Sequence, residues 1–251
     1  IVAIGPAHLS LIDHGEFNLY AIDRDIRAWR PNQSMSAILA DVRDAGRIVD
    51  VLARERPDLV FHAAALKHVP IVEAHPEEGV LTNTMGTRNV ADACRRHGVA
   101  AMVMISTDKA VDPTSVMGAT KRLAEGYCQA LDRLERGRQG GTRYVTVRFG
   151  NVLGSSGSVV PLFQRQLAQG GPLTVTHPDA VRYFMTVREA VELVLEASAL
   201  GVVEPAEPGR ILVLDMGEPV RVVDLARQMI RLAGLRPDRD VKIVYTGLRP
   251  G

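Results

Sequence analysis

Short apolar runs alternate with longer amphipathic segments along most of the chain. The runs that we predict to be strands are residues 7–12, 58–63, 100–105, 143–149 and 210–214. The segments with helical periodicity are residues 45–56, 77–97, 120–136 and 187–200. Apolar strands that alternate with helices are typical of a parallel sheet covered on both faces, so the pattern predicts a doubly wound α/β fold. Ligands of such sheets bind beyond the carboxyl ends of the strands, where we expect the functional site.

The pattern loosens after Asn151. A Gly/Ser stretch at residues 154–158 is followed by a predicted helix at 159–169, a strand at 173–176, a helix at 222–232 and a strand at 241–245. We interpret this part as a smaller C-terminal substrate-binding lid. The predicted division is a dinucleotide-binding domain of residues 1–155, to which residues 187–217 return, and a substrate-binding region of residues 156–186 and 218–251.

The start of the chain differs from the usual start of a doubly wound sheet. Residues 1–4 resemble the end of a helix, and no strand with a glycine-rich phosphate-binding turn follows. The opening strand of such a sheet is central and would lie between strands 7–12 and 58–63. We therefore expect truncation at both ends, since residues 247–251 also stop inside a motif. We also expect the isolated chain to fold poorly and to bind a dinucleotide weakly.

Composition excludes some classes of function. The formal net charge of +1 argues against nonspecific binding to nucleic acid. Cys94 and Cys128 lie within helical patterns without a second thiol or histidine at ligand spacing, so we predict buried reduced thiols in a cytosolic compartment. His62, His68 and His177 share no ligand spacing, and no metal is predicted. This stretch contains neither a membrane-spanning run nor a secretion signal.

Candidate catalytic groups follow the predicted strand at residues 100–105. Thr107, Asp108 and Lys109 place a hydroxyl, a carboxylate and an amine beyond its carboxyl end. The next helix opens with Met117 and Lys121, which lie one turn apart and can face the same cavity. Short-chain dehydrogenases carry Tyr and Lys at this spacing, and there the Lys binds the nicotinamide ribose and lowers the pKa of the Tyr base. Here Met117 stands in the position of that Tyr.

This departure is itself informative. The stretch of residues 106–122 resembles the CapD-like polysaccharide biosynthesis family. The members of that family are membrane-anchored sugar-nucleotide 4,6-dehydratases with Met in place of the usual Tyr. Residues 62–70, 148–158 and 247–251 resemble the same family, so the resemblance covers nearly the whole chain. The alternative interpretation of the motif is a surface turn at Asp108 and Lys109 beside a core methionine.

The resemblance implies a fold, a cofactor and a substrate class. The fold would be the Rossmann-type sheet of an extended short-chain dehydrogenase/reductase, with NAD as cofactor. A UDP-sugar substrate, a UDP-N-acetylhexosamine such as UDP-N-acetylglucosamine, would become a 4-keto-6-deoxy sugar for polysaccharide or glycan biosynthesis. The protein would be a homo-oligomer at the cytoplasmic face of the inner membrane, anchored by transmembrane helices that precede residue 1.

The resemblance also implies roles for the catalytic residues. Hydride moves from sugar C4 to NAD, water is lost across C5 and C6, and the hydride returns to C6. Asp108 would donate a proton to the departing C6 hydroxyl and Lys109 would remove the C5 proton, so both need charge states opposite to their resting ones and should titrate as a pair. Because Met117 cannot accept a proton, the base for the C4 hydroxyl stays open. Thr107, polarised by Lys121 or relaying through water, is the candidate.

Candidate cofactor contacts lie in the first half of the chain. Asp13 ends the first apolar run, where a carboxylate can bind both adenosine ribose hydroxyls and favour NAD over NADP; a helix-capping aspartate is the alternative. Lys67 could reach a phosphate or lie solvated in a loop. The remaining candidates are residues expected to flank adenine or to allow close backbone approach, namely Asp41, Val42, Ala63, Ala64, Ala65 and, at the ribose, Lys121. Asn83 resembles a structural asparagine and is not assigned to catalysis.

Candidate substrate contacts lie in the second half. By resemblance, Asn151 faces the sugar diphosphate, and the Gly/Ser stretch supplies backbone donors. Arg182 and Arg249 are candidates for the pyrophosphate because a guanidinium donates two parallel hydrogen bonds to phosphate oxygens. A surface role is the alternative for each arginine.

Two other functions use the same scaffold. A C4 epimerase or a sugar-nucleotide reductase has no need of the Asp108–Lys109 pair. The other function is that of an inactive NAD-binding scaffold, which Met117 in place of the catalytic Tyr could indicate. Loss of Lys121 or Asp108 would have favoured that alternative, and both are present.

Overall fold

A computed structural model describes residues 1–155, 157–203 and 207–248. The strands are β1 (Leu9–Asp13), β2 (Met35–Leu39), β3 (Leu59–His62), β4 (Ala101–Thr107), β5 (Arg143–Phe149), β6 (Asn151–Val152), β7 (Leu173–Val175), β8 (Val181–Arg182), β9 (Phe184–Met185), β10 (Ile211–Val213), β11 (Val220–Arg221) and β12 (Ile243–Tyr245). The α-helices are α1 (Glu16–Trp29), α2 (Ala45–Glu55), α3 (Val69–Ala74), α4 (Pro76–Gly79), α5 (Gly86–His97), α6 (Val116–Glu135), α7 (Val159–Ala168), α8 (Val187–Val203) and α9 (Val222–Leu232). Short 3₁₀ turns occur at Val2–Ile4 and Asp108–Ala110, and a π-helical segment at Val80–Met85.

The main sheet is parallel, with the strand order β10-β5-β4-β3. Strands β1 and β2 form a separate parallel pair. In the described part of the chain, β1 pairs only with β2 and β3 only with β4. The additional strand that we expect between β1 and β3 therefore stays a prediction.

Strand β4 is covered on both of its faces. Met102 and Met104 pack into one core with side chains of α2, α5 and α6, whereas Val103 packs into a second core with β5 and α8. The alternation arises because successive side chains of a strand point to opposite faces. The predicted α/β class with a covered parallel sheet is confirmed. The carboxyl end of β4 is thereby fixed rigidly, and it is the end that carries the candidate catalytic residues.

A third core lies in the C-terminal part. It is built from α7, α9, β7 and β12 around Phe163, Leu173 and Ile230, all fully buried. Two-stranded pairs join β6 to β9 and β8 to β11. Strand β10 pairs with β5, so the chain returns to the main sheet after α8. Within the described ranges, no helix combines the length and the apolar character needed to cross a bilayer.

Some predicted elements differ from the observed ones. The helix predicted at residues 77–97 consists of α4, the π-helical segment and α5, because Asn83 lies in the π-helical segment with its amide hydrogen-bonded to Leu66 and Thr120. Helix α6 begins at Val116, before residue 120, because the Ser115 hydroxyl accepts the Gly118 N–H and caps it. Helices α1 and α3 were not predicted. The apolar side chains of α1 are largely exposed and α3 has six residues, so neither gives a clear periodicity.

Candidate active site

The centre of the site is the turn at residues 107–110, which we call the Asp-Lys turn. Thr107 is the last residue of β4, and its hydroxyl donates to Asp108 Oδ1 at 2.9 Å. Lys109 Nζ donates to the same carboxylate oxygen at 2.9 Å. The side chains of Asp108 and Lys109 are 25% and 33% exposed, so this ion pair is reachable by a substrate yet partly removed from water. The turn thus holds a hydroxyl, a carboxylate and an amine in mutual contact.

Lys109 also connects the turn to the C-terminal part of the chain. Its Nζ donates to Asn151 Oδ1 at 3.2 Å, and the Asn151 N–H donates to the Tyr183 carbonyl oxygen at 3.0 Å. Asn151 begins β6, directly beyond the end of β5. The residue expected to face the substrate is therefore in direct contact with the residue expected to remove a substrate proton.

The first turns of α6 bring Met117 and Lys121 beneath the Asp-Lys turn. Met117 is 4% exposed and contributes to the packed interior. Lys121 Nζ donates to the Ile105 carbonyl oxygen of β4 at 2.6 Å. Burial lowers the pKa of Lys121 to about 8, against the opposing influence of the Glu125 carboxylate. The amine is thus held at the sheet, and its contact is with β4 backbone, two residues before Thr107.

Close packing fixes the turn against α6. A Cβ atom built on Gly118 would lie 3.1 Å from Pro113 Cβ and well inside the contact distance of the Lys109 carbonyl oxygen. Glu73 accepts the Val116 N–H at 2.6 Å and so fixes the start of the same helix. Only glycine at position 118 permits the turn and α6 to lie this close together.

Asn83 and His62 form a buried polar layer next to these groups. The Asn83 amide accepts the Leu66 N–H at 2.7 Å and donates to the Leu66 carbonyl and the Thr120 hydroxyl. His62 lies at the end of β3 and bonds to the Thr87 hydroxyl at 2.9 Å. Burial and the nearby Lys121 charge lower the pKa of His62 to about 3, so its ring is neutral at physiological pH. This layer ties the loop after β3 to α6.

The candidate adenosine contacts lie at the carboxyl ends of β1 and β2. Asp13 Oδ1 accepts the Gly15 N–H at 2.6 Å; because Gly15 is itself the N-cap of α1, this is a local turn and not a helix cap. Asp41 pairs with Arg43 at 2.7 Å, and the hydrogen bonds from Arg43 lower the pKa of its carboxyl. An open depression of about 370 Å³ lies here. It is lined by His14, Leu39, Ala40, Asp41, Asp44 and Arg47.

Other predicted residues are more scattered. Val42 is half-buried, and Asn89 donates to its carbonyl oxygen. Arg182 is exposed, and its guanidinium donates a hydrogen bond to the Val181 carbonyl oxygen. Arg249 and Ser156 of the Gly/Ser stretch lie outside the described residues. In the loop after β3, Ala65 is half-buried and the other candidates are exposed, namely Ala63, Ala64 and Lys67. Within residues 1–155, 157–203 and 207–248, no group of three or more His, Cys, Asp or Glu could hold a metal ion.

Sequence reasoning missed two residues of the site, Glu125 and Arg148. Glu125 is fully buried and accepts hydrogen bonds from Arg148 and from the Ser106 hydroxyl. Two signals could have revealed them. Glu125 lies four residues after Lys121 on one helix face, and Arg148 is the first residue of the motif at residues 148–158 that carries the family resemblance.

The covered parallel sheet is that of the Rossmann-type fold of the short-chain dehydrogenase/reductase class. The sequence model of the polysaccharide biosynthesis protein family matches residues 1–251, and the chain therefore belongs to that family. It is 47% identical over 247 residues to the capsular polysaccharide biosynthesis protein CapD of Staphylococcus aureus, which covers 98% of the chain and 40% of CapD. It is also 40% identical to the membrane protein MJ1061 of Methanocaldococcus jannaschii, over 100% of the chain and 72% of that protein. The chain thus spans well under half of the length of CapD.

Shorter matches and solved structures extend these similarities. A UDP-N-acetylglucosamine 4,6-dehydratase (inverting) of Campylobacter jejuni is 40% identical over 64% of the chain and 47% of its own length. A UDP-glucose 4-epimerase of Rickettsia canadensis is 41% identical over 69% of the chain and 50% of its own length. The structure of Pen from Bacillus thuringiensis superimposes with a TM-score of 0.87 at 33% identity, covering 100% of the chain and 74% of Pen. The chain is thus similar to both dehydratases and epimerases of nucleotide sugars.

Proposed function

We propose that this chain carries the catalytic site of an NAD-dependent nucleotide-sugar 4,6-dehydratase, a lyase that acts on a UDP-N-acetylhexosamine, with UDP-N-acetylglucosamine as the favoured substrate. The observation that carries the proposal is the Asp108–Lys109 pair at the end of β4, with Lys109 also bound to Asn151. Elimination of water needs an acid at one carbon and a base at its neighbour, whereas epimerisation at C4 needs neither group. The named relatives include both reaction types, and this pair favours the dehydratase.

The geometry suggests how the acid and the base arise. Asp108 and Lys109 share a 2.9 Å hydrogen bond, so transfer of one proton from Nζ to the carboxylate turns the ion pair into a neutral acid beside a neutral amine. Exclusion of water by a bound substrate favours the neutral pair, because desolvation penalises charged forms. Lys109 then removes the C5 proton, and Asp108 protonates the C6 oxygen as it leaves as water. The electrons of the broken C5–H bond form the C5–C6 double bond as the C6–O bond breaks.

The residues of the sheet fit a dinucleotide. Asp41 lines the depression beyond β1 and β2 and would hold the adenosine together with Asp13 and Val42. Residues 63–65 would allow close backbone approach to the dinucleotide, Lys67 would reach a phosphate, and Lys121 would hold the nicotinamide ribose. A bound NAD would supply the acceptor for the C4 hydride and the hydride donor for C6, and Lys109 would return its proton to C5. Thr107, whose hydroxyl contacts Asp108, is the proposed base for the C4 hydroxyl, because the buried Met117 cannot accept a proton.

Substrate contacts and location complete the proposal. Asn151 would contact the sugar diphosphate, and Arg182 and Arg249 its pyrophosphate. Residues 156–186 and 218–251 would form the substrate-binding region. A homo-oligomer at the cytoplasmic face of the inner membrane is proposed from the resemblance. The name of the archaeal relative as a membrane protein supports an association with a membrane.

One experiment tests the reaction. The full-length protein is incubated with UDP-N-acetylglucosamine and NAD, and we expect a product lighter by one water by mass spectrometry. Asp108→Asn and Lys109→Met should each abolish this product while NAD affinity stays within about 3-fold, since neither side chain is assigned to the cofactor. The matched control is Asp25→Asn, which removes one carboxylate of the exposed Arg24–Asp25 pair on α1 and should leave turnover unchanged.

The alternatives give different outcomes in the same assay. An epimerase would yield a product of unchanged mass with inverted C4, and an inactive scaffold would bind NAD without conversion. Normal turnover by either the Asp108 or the Lys109 variant would contradict the assigned roles.

A further inference from the structure

A buried ion pair lies directly behind the Asp-Lys turn. The Glu125 carboxylate on α6 is fully buried. Its two oxygens accept hydrogen bonds from Nε and Nη2 of Arg148 on β5, and the Nε hydrogen bond is 2.7 Å long. Hydrogen bonding to Glu125 raises the pKa of Arg148, which therefore stays charged. Bidentate pairs of this kind are short and directional, so they fix the relative position of the elements that carry them.

The pair contacts both ends of the turn. Ser106, the residue before Thr107, donates its hydroxyl to Glu125 Oε1 at 2.6 Å. Arg148 Nη2 donates to the carbonyl oxygen of Ala110, the last residue of the turn, at 3.4 Å. Ser106 and Arg148 are also direct partners in the β4–β5 register. Thr107, Asp108 and Lys109 therefore lie between two anchor points that meet at one buried carboxylate and its guanidinium partner.

From this arrangement we propose that Glu125 and Arg148 are positioning residues that hold the Asp-Lys turn in its reactive geometry. The assignment of the turn as reactive rests on the proposed function. Glu125 also lies one helical turn after Lys121, so the same carboxylate acts on the second amine of the site. Neither Glu125 nor Arg148 is placed to touch a substrate, because both act through backbone and hydroxyl groups of β4 and the turn.

The chain contains a matched structural pair for comparison. Asp132 and Arg143 form a second buried ion pair between the same two elements, α6 and β5, at 3.2 Å. Asp132 accepts the N–H groups of Tyr144 and Gly209, which lie at the opposite end of the strand from the turn. Arg143→Lys and Asp132→Asn thus repeat the chemical changes of Arg148→Lys and Glu125→Gln without touching the turn.

The first test measures amide hydrogen exchange in the protein without ligands. We expect the amides of residues 107–110 to exchange at least about tenfold faster in Arg148→Lys and Glu125→Gln than in the unmodified protein. Arg143→Lys and Asp132→Asn should leave exchange in residues 107–110 unchanged while accelerating it near residues 143–145. This readout does not depend on the reaction, so its failure overturns the positioning role whatever the chemistry is.

The second test uses kinetics at a temperature where thermal unfolding shows every variant to be folded. Arg148→Lys, which keeps the charge but loses the planar fork, should lower kcat by about 100-fold and leave KM for the nucleotide sugar within about 3-fold. Arg143→Lys should leave kcat unchanged. Equal losses in the two lysine variants, or full kcat in Arg148→Lys, would overturn the proposal. Absence of any dehydration by the unmodified protein would instead refute the proposed function, and the exchange test would still decide the positioning role.

Discussion

Gly118→Ala is the substitution whose effect follows most directly from the structure. The added Cβ would meet the Lys109 carbonyl oxygen and lie 3.1 Å from Pro113 Cβ, and the first of these contacts is with backbone that cannot rotate away. The turn and α6 must therefore separate by on the order of 1 Å, and a displacement of that size at a reacting group can lower turnover by about 100-fold. Overpacking of this kind should also cost about 1–3 kcal/mol of the free energy of unfolding.

The assay pairs turnover of UDP-N-acetylglucosamine with urea unfolding of the same samples. Gly126→Ala is the matched control, because Gly126 lies on the same helix and its added Cβ would meet nothing within 4 Å. Replacing a mid-helix glycine by alanine should raise the free energy of unfolding by about 0.5–1 kcal/mol, with turnover unchanged. A Gly118→Ala protein that is folded and fully active would refute the claim that the position of the turn controls the reaction.

Three further predictions concern individual side chains. Met117→Leu should keep substantial activity, because the position is a packed apolar one, whereas Lys121→Ala should lose both activity and NAD affinity; a folded but inactive Met117→Leu protein would show that the methionine has a chemical role. Asp13→Ala should narrow the preference for NAD over NADP in steady-state kinetics, and comparable turnover of the unmodified protein with both dinucleotides would contradict the assignment. Burial depresses the pKa of Lys121 from 10.5 to about 8 in the folded protein, so folded molecules lose this proton first as pH rises. The unmodified protein should therefore gain roughly 3 kcal/mol of unfolding free energy relative to Lys121→Met between pH 8 and pH 10.5, as measured by denaturation at several pH values, and a difference that is independent of pH would contradict the depressed pKa.

Strong local patterns predicted their elements well. Strand β5 and helix α9 have the bounds read from the sequence, because a short run rich in Val and aromatic residues and a clear amphipathic stripe need no tertiary information. The order of Thr107, Asp108 and Lys109 after a strand, and of Lys121 on the following helix, was also visible. These features depend only on neighbours along the chain.

Contacts between distant segments could not be predicted. Lys109 and Asn151 are 42 residues apart, and nothing in either segment alone indicates that the amine and the amide oxygen meet. The Glu125–Arg148 pair joins a helix to a strand, and each residue by itself fits a solvated surface position as well as a buried one. The π-helical segment at Val80–Met85 reflects the tertiary clamp made by Asn83, which overrides the helical periodicity.

The Asp-Lys turn is held largely through main-chain atoms, and this has an evolutionary consequence. The carbonyl oxygens of Ile105, Lys109 and Ala110 meet Lys121, Gly118 and Arg148 whatever side chains the turn itself carries. Mutations inside the turn can therefore exchange one set of side chains for another while the backbone that carries them stays in place. A gene duplicated in such a lineage can acquire a new reaction through very few codon changes, which gives a physical basis for the coexistence of dehydratases and epimerases among the relatives of this chain.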